Sequence, residues 1–164
     1  MTKIIISPCK TCADIKQGCC VNEDIVLTLG DVNRINKTIK DECWMEWRTL
    51  RRPIGVENLW NEFVNGAHGG ARVIKNKPDG RCWFISNNGC MLANKIRPLV
   101  CRLYPYDNFT ENNLGPEPKQ EEVNCPKEYF KYGNIAEYIG INRHMAEHWH
   151  KQLYKEIREE IKII

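Results

Sequence analysis

The chain has 164 residues, of which 42% are hydrophobic, so it is long enough for one domain with a buried core. Charged residues make up 27%, and the basic residues behind the net charge of +3 are scattered along the chain, which argues against a nucleic-acid partner. No segment approaches the roughly 20 apolar residues that a membrane-spanning helix needs, so no membrane partner is predicted.

The N-terminal segment predicts a protein that stays in the cytoplasm. Its apolar run, from Ile4 to Ile6, is far shorter than the roughly 7–15-residue core of a secretory signal peptide. Thiols are kept reduced in the cytoplasm, and the odd number of nine cysteines does not fit a closed set of disulfides. A disulfide framework remains an alternative mainly for a hyperthermophile, in which cytoplasmic disulfides do occur.

Three helices are predicted in the first half of the chain, after an irregular stretch over residues 1–24. The first begins with a capping-box-like signal, Thr28 followed by Asp31, in which each side chain can bond the backbone N–H of the other residue. Apolar residues at helical spacing mark the three segments: Val32, Ile35 and Ile39 in the first, Trp44, Trp47 and Leu50 in the second, and Leu59, Trp60 and Phe63 in the third.

The residue pattern then changes to one that favours strands. Two β-leaning pieces, around residues 72–75 and 81–85, flank the sequence KPDG, which is typical of a turn. These two pieces predict a β-hairpin.

A short helix, a loop and a long helix are predicted in the last third of the chain. Pro98 suits the first turn of the short helix and Pro105 ends it, and the polar residues 107–124 indicate a surface loop. The long helical region covers residues 133–164; Gly140 divides it, and Asn142 can cap its second piece. Its apolar stripe recurs every fourth residue: Met145, Trp149, Leu153, Ile157 and Ile161.

This stripe allows two interpretations. We expect it to pack on the core of its own domain, beside Trp44, Trp47 and Trp60. The alternative is that its far end, with Ile157, Ile161, Ile163 and Ile164, binds a protein partner or a second copy of the chain.

The stretch CKTCADIKQGCC places four cysteines within twelve positions. Cys9 and Cys12 form a C-x-x-C pair, a spacing that lets two sulfurs from one tight turn bind a single metal. Cys19 and Cys20 are adjacent, and because neighbouring side chains tend to point apart, they more easily serve two metal positions than one. Four more cysteines follow in hairpin, turn and loop segments. The predicted metal ligands are therefore Cys9, Cys12, Cys19, Cys20, Cys82, Cys90, Cys101 and Cys125.

Cys43 is left out of this set. It lies in the segment DECWMEW, which is predicted to be helical, so a small buried hydrophobic side chain is the simpler interpretation. Any single cysteine among the other eight could also be buried without chemistry, but a C-x-x-C pair with a nearby C-C pair favours metal. Eight thiolates suffice for two four-coordinate sites, or for one site with some to spare.

Five segments, in order, resemble the YkgJ-like cysteine-cluster family, a zinc- or iron-chelating domain of the CxxC…CC type. They are CKTCADIKQGCC, TLGDVNRI, GRCWF, GC and RPLVCRLYP, and the last is the most specific. The resemblance spans about residues 9–105, or as far as Cys125 at its widest. The spacing departs from the family pattern between Cys12 and Cys19 and between Cys90 and Arg97.

The resemblance implies a metal-chelating module rather than a particular activity. Larger members resemble flagellin lysine N-methylases, in which the cysteine region is thought to hold an iron–sulfur cluster. A methyl-transfer enzyme is therefore one hypothesis by analogy, although the sequence has no G-x-G-x-x-G turn after a strand. Whether the chain is an enzyme stays open.

Two further hypotheses concern the metal itself. An iron–sulfur cluster, of the 4Fe-4S kind, predicts a redox, maturation or accessory role, whereas zinc predicts a binding module without redox chemistry. All-cysteine ligation suits both metals. The step from Cys125 to Pro126, which also ends the ligand run of bacterial ferredoxins, and the family resemblance favour iron.

Basic residues lie near the predicted ligands in sequence and would stabilise thiolates. Arg97 and Arg102 are the predicted cofactor-binding residues, able to bind an anion or hydrogen-bond cluster sulfurs. They could equally pair with carboxylates that hold the turn.

The histidines predict no second metal site. His144 and His148 are spaced i, i+4 with His150 close by, but no H-E-x-x-H motif is present, so a polar flank of the long helix is favoured. His68 is a lone loop histidine.

These elements predict an α+β fold: a small irregular metal-stabilised domain with several helices, a short β-hairpin and a long C-terminal helix. Residues 1–132 form the predicted cysteine-cluster metal-binding domain, and residues 133–164 form a C-terminal helical extension packed on the same domain.

Overall fold

The structure is a computed structural model, and it describes residues 12, 18–41, 43–50, 58–66, 69–116, 119 and 140–163. Helices and small antiparallel sheets alternate along these residues, so the α+β prediction is confirmed. Within the described ranges, no helix is both long and apolar enough to cross a membrane.

The first helix, α1 (Leu29–Asn36), begins as its sequence predicts. The Thr28 hydroxyl accepts a hydrogen bond from the Asp31 N–H at 3.0 Å, and the Asp31 carboxylate accepts one from the Thr28 N–H at 3.1 Å. This capping box fixes the start of α1 because it satisfies backbone donors that have no partner within the helix.

The prediction of a second helix is wrong, because Met45–Arg48 forms strand β1. It pairs antiparallel with β2 (Ala71–Ile74), from Met45 opposite Ile74 to Arg48 opposite Ala71. Trp44 is buried but Trp47 is 46% exposed, with the Arg72 guanidinium 4.9 Å from its ring centre. Apolar residues three positions apart in so short a segment do not distinguish a helix from a strand. Pairing with β2 makes this segment a strand.

The KPDG turn is confirmed, but the strand before the turn does not pair mainly with the residues after it. The Gly80 N–H donates to the Lys77 carbonyl at 2.9 Å, and the two arms meet at the bridge between Asn76 and Cys82. The first arm pairs mainly with β1, however. An unpredicted second hairpin follows, in which β3 (Ile85–Ser86) pairs with β4 (Gly89–Cys90).

The remaining predicted helices are confirmed. They are α2 (Asn58–Asn65), α3 (Leu99–Leu103), which follows Pro98 and a 3-10 turn (Asn94–Ile96), and α4 (Arg143–Ile161). The Asn142 side chain caps α4 by accepting a hydrogen bond from the Met145 N–H at 2.9 Å.

Two hydrophobic clusters account for most of the core. One surrounds Trp44 and Phe84, whose ring centres lie 5.4 Å apart, and joins α1 to the strands. The other joins α4 to α3 and α2, with Trp149, Leu153 and Ile157 buried in it.

The position of α4 corrects two expectations. Its stripe does pack on the chain's own core, where Trp60 joins the same cluster, and Trp47 lines a surface pocket with Ile161 at the end of the stripe. Trp44 belongs to the other cluster. Ile157 is fully buried, so it cannot be part of a docking end. Ile164 lies outside the described residues.

Candidate metal centre

Six of the eight predicted ligands fall within the described residues, and Cys9 and Cys125 lie outside them. The seven described cysteines, these six and Cys43, are all thiols. Cys12 and Cys19 are half-buried. The disulfide alternative therefore finds no bond among the cysteines that the structure describes.

Four of the predicted ligands lie against the same hydrophobic cluster. Cys82 is buried within the cluster around Trp44, and Cys20, Cys90 and Cys101 pack against it from outside. They come from four separate segments of the chain: the turn after Gly18, the strand-like residues after the KPDG turn, β4, and α3. The fold thus brings together cysteines that are up to 81 positions apart in sequence.

Main-chain pairing holds the first two of these segments together. The Cys82 N–H donates to the Cys20 carbonyl at 2.7 Å, and the Asn22 N–H donates to the Gly80 carbonyl at 2.9 Å. Val21 and Arg81 form a bridge between the same two segments. The N-terminal cysteine segment is therefore attached to the KPDG turn by hydrogen bonds that do not depend on side-chain type.

The environment of Cys82 and Cys101 disfavours negative charge. Burial raises the pKa of Cys82 to about 12, and the charge of Cys20 adds to this effect. Burial raises the pKa of Cys101 as well, and the charges of Cys20, Cys82 and Cys90 reinforce it. Each thiolate would therefore oppose the ionisation of the others unless a cation lay among them.

Cys20 differs from Cys82 and Cys101 because its surroundings favour the thiolate. Its sulfur lies 4.0 Å from that of Cys19, so the adjacent pair does not point apart as its sequence led us to expect. The hydrogen bond with Cys19 lowers the pKa of Cys20, burial opposes that effect, and the positive charge of Arg97 lowers the pKa further. Cys20 is thus the candidate ligand most ready to bind a cation.

The donor set fits a soft metal in its chemistry, but its sulfurs do not converge on one point. Across the described residues, no three His, Cys, Asp or Glu side chains form a group that could hold a metal ion. The set combines four cysteines that pack against one hydrophobic cluster, a charge environment that a cation would relieve, and two predicted ligands outside the described residues.

Arg97 and Arg102 hold the turn between Cys90 and Cys101, but through carbonyl groups. The Arg102 Nε donates to the Arg97 carbonyl at 2.8 Å, and its guanidinium also donates to the Lys95 carbonyl at 2.8 Å. The Arg97 Nε donates to the Leu92 carbonyl at 3.0 Å. Their roles toward a cofactor stay predictions, with the effect of Arg97 on Cys20 as support.

The prediction that Cys43 is helical and buried is wrong. Cys43 is exposed in the turn before β1, and its N–H donates to the Asp41 carboxylate at 2.8 Å. Asp41 raises the pKa of the Cys43 thiol by a hydrogen bond and by its charge. Cys43 is therefore a suitable exposed control for the buried cysteines.

The histidines occupy the positions that the favoured interpretation gave them. His144 and His148 are exposed on α4. His150 is buried, with its Nε2 2.7 Å from the Thr110 carbonyl and its ring against Phe109 and Tyr154. His150 is thus a hydrogen-bonded core residue, and His68 lies outside the described residues.

Comparison with known proteins adds no relative: no family model, curated protein or solved structure matches the chain. The resemblance to the YkgJ-like family stays a prediction. The argument for function rests on the cysteines and their surroundings.

Proposed function

We propose that this chain binds metal through its cysteines and that the metal is an iron–sulfur cluster serving a redox, maturation or accessory role. The observation that carries the proposal is the packing of Cys20, Cys82, Cys90 and Cys101 against one hydrophobic cluster. Cys9, Cys12, Cys19 and Cys125 would supply the remaining ligands. When bound, such a cluster supplies one-electron redox chemistry.

The residues of the chain itself would contribute exclusion of water and a fixed positive charge. Cys82 is buried and Cys101 is half-buried, so solvent has little access to their sulfurs. Arg97 offsets part of the negative charge of a thiolate at Cys20. Burial and nearby charge are two of the factors that set the stability and potential of thiolate-bound clusters.

Zinc is the second candidate, and the arrangement of the segments favours it. Each of the four cysteines lies on a different segment, and three of these segments are a turn, a bridge and a two-residue strand. A structural zinc commonly ties such short elements together, and four thiolates are one of its usual ligand sets. In that case the chain is a binding module without redox chemistry.

Purification without oxygen, followed by absorbance and by iron, sulfide and zinc analysis, separates these proposals. We expect a broad brown absorbance with iron and acid-labile sulfide in comparable amounts. Colourless protein with stoichiometric zinc would favour the zinc module. Protein that carries neither metal, and takes up neither after anaerobic reconstitution, would contradict metal binding altogether.

Cysteine variants test the ligand assignment. We expect Cys82→Ser and Cys101→Ser each to lose most of the bound metal, because serine offers no thiolate. Cys43→Ser is the matched control and should keep its metal, since Cys43 is exposed in the turn before β1. The assignment is wrong if Cys43→Ser loses as much metal as Cys82→Ser.

We also propose self-association through the end of the C-terminal helix, and the exposed apolar side chains at that end support it. Ile163 is 78% exposed, and Leu29 and Trp47 are 43% and 46% exposed. Together with Phe63 and Ile161 they line a pocket of about 140 Å³. Exposed apolar side chains grouped around one pocket mark an interaction surface. The same patch on two copies can pack face to face about a twofold axis, so a second copy of the chain is the occupant that we propose.

Ile163→Asp tests this docking surface without disturbing the core. We expect the variant to sediment as a smaller species than the unchanged chain at the same concentration, while its metal content stays the same. Ile157→Asp would not serve, because Ile157 is fully buried. Equal sedimentation of Ile163→Asp and the unchanged chain at all concentrations would rule out self-association through this surface.

A further inference from the structure

The Asp31 carboxylate makes more contacts than the capping box of α1 requires. Its Oδ2 accepts the Thr28 N–H, while its Oδ1 accepts the N–H of Leu99 at 3.0 Å and the Arg34 guanidinium at 2.6 Å. The side chain is fully buried. One carboxylate therefore binds two different helices, and Leu99 is 68 positions away in sequence.

The bond to Leu99 satisfies a donor that α3 cannot satisfy locally. Leu99 is the first residue of α3, and the N–H groups of a first helical turn have no partner within the helix. The preceding residue is Pro98, whose side chain has no hydrogen-bond acceptor. Asp31 therefore takes the place of a cap, from a different part of the chain.

The cysteine in α3 depends on this anchor for its position. Cys101 lies two residues after Leu99, in the middle of a helix of only five residues. Arg102 bonds the same helix to the carbonyls of Lys95 and Arg97, in the turn that leads into it. Asp31 thus fixes the start of α3, and Arg102 fixes the turn that leads into it. Cys101 lies in this helix, between Leu99 and Arg102.

We infer that Asp31 is a positioning residue for Cys101: its hydrogen bond to the Leu99 N–H holds α3, and Arg34 holds the carboxylate in place. This inference rests on the proposed metal function, because it treats Cys101 as a ligand. A polar group that orients a metal ligand without itself binding the metal typically changes metal affinity about 10–100-fold when it is removed.

Asp31→Asn is the most informative substitution because it keeps the shape of the side chain. An amide has one acceptor oxygen and one NH₂ group, whereas the carboxylate has two acceptor oxygens. If the NH₂ group faces the Leu99 N–H, the bond to α3 is lost. If it faces the Thr28 N–H, the bond to Leu99 remains but its acceptor is now neutral, and a bond to a charged acceptor is roughly twice as strong as one to a neutral acceptor. In both orientations α3 is held more weakly. Thr28→Ala is the matched control, since it breaks the capping box but leaves the Leu99 bond intact.

The experiment compares the unchanged chain, Asp31→Asn and Thr28→Ala, all purified without oxygen. The first measurement is the loss of metal to a chelator. The second is the alkylation of each cysteine by iodoacetamide in metal-free protein, followed by mass spectrometry. We expect Asp31→Asn to lose metal about 10–100-fold more readily, and to expose Cys101 to alkylation with Cys82 unchanged. Thr28→Ala should lower only the melting temperature.

Two results would overturn the inference, and they differ from a failure of the proposed function. If the unchanged chain binds metal but Asp31→Asn retains it as well as Thr28→Ala does, Asp31 does not position a ligand. Equal alkylation of Cys101 in both variants leads to the same conclusion. A chain that binds no metal contradicts the proposed function instead, while the alkylation measurement still tests whether Asp31 holds Cys101.

Arg34→Lys provides a second route if Asp31→Asn does not fold. A lysine keeps the positive charge but cannot bridge two carboxylates as a guanidinium does. We expect a smaller change in the same direction, confined again to metal retention and to Cys101. Unchanged metal retention and unchanged Cys101 alkylation in a folded Arg34→Lys would count against the inference.

Discussion

Metal-free protein is expected to lose stability as the pH rises from 9 to 12, whereas metal-loaded protein is not. In the unfolded chain the Cys82 thiol ionises near its ordinary pKa of 9.0, but in the folded chain burial raises that pKa to about 12. Between these values the unfolded state binds fewer protons, so the free energy of unfolding falls as the pH rises. The contribution is fully present below pH 9 and is lost as the pH passes 12.

The expected effect is large compared with the stability of a domain this size. One thiol contributes about 1.4 kcal/mol per pH unit within its window, so Cys82 alone accounts for about 4 kcal/mol between pH 9 and 12. Burial shifts Cys101 in the same direction and adds to the loss. Typical domains have only about 5–15 kcal/mol of stability in total. A bound metal removes the effect because its thiolate ligands are already deprotonated at neutral pH.

Urea unfolding followed by tryptophan fluorescence measures this dependence. Metal-free and metal-loaded protein would be compared under reducing conditions at pH 7, 9 and 10. Cys82→Ala should flatten the dependence of the metal-free protein, while Cys43→Ala, which alters an exposed thiol, should leave it unchanged. A metal-free protein with the same unfolding midpoint at pH 7 and pH 10 would contradict the prediction.

The elements predicted correctly are those that a few neighbouring residues determine. Thr28 with Asp31 and Asn142 with Met145 are capping contacts across three positions, so the sequence alone is enough to place α1 and α4. The KPDG turn is also local. The turn of the second hairpin is local as well, since Asn87 and Asn88 connect Ser86 to its partner Gly89, and asparagine is a common turn residue.

The elements that were missed depend on contacts between distant residues. Trp47 was assigned to a helix because β2, which pairs with its strand, lies more than twenty positions later. The apolar spacing of the same segment predicts a helix, and with it a buried Cys43. In both cases a tertiary pairing outweighed a short local pattern.

The candidate metal site also depends partly on local sequence and partly on contacts between distant residues. The residue types and spacing of the cysteines point to metal, but they do not tell which thiols become neighbours. That depends on the main-chain bond between Cys82 and Cys20 and on the position of α3. The bond from Leu99 to Asp31 could not be predicted either, because the capping signal already gave Asp31 a role.

Arg34→Ala is expected to destabilise the protein by about 3–5 kcal/mol at pH 7, the usual cost of removing one partner from a buried ion pair. Arg34 lies between two carboxylates, 2.6 Å from that of Asp31 and 2.6 Å from that of Glu156. Gly30 allows this arrangement, because a side chain there would collide with the Glu156 carboxylate. Without Arg34, two negative charges would remain close together where α1 meets α4.

The pKa values of the two carboxyl groups predict how this loss depends on pH. Burial acts to raise the pKa of Glu156, but hydrogen bonds from Arg34, Thr28 and Gln152 outweigh it, so the pKa lies below 4.5. The stabilisation from Glu156 is thus present above pH 4.5 and is lost as the pH falls through the lower folded value. Burial raises the pKa of Asp31, and the hydrogen bonds from Arg34 and Thr28 oppose that rise.

Urea unfolding of Arg34→Ala and the unchanged chain at pH 7 and pH 3.5 tests both parts of the prediction. The difference between the two proteins should be largest at pH 7 and should shrink at pH 3.5, where Asp31, whose pKa lies above 3.8, gains a proton. Arg158→Ala is the matched control, because Arg158 pairs with Glu111 at the surface and should contribute less than about 1 kcal/mol. If Arg34→Ala and Arg158→Ala cost the same at pH 7, the buried network does not hold α4 against α1.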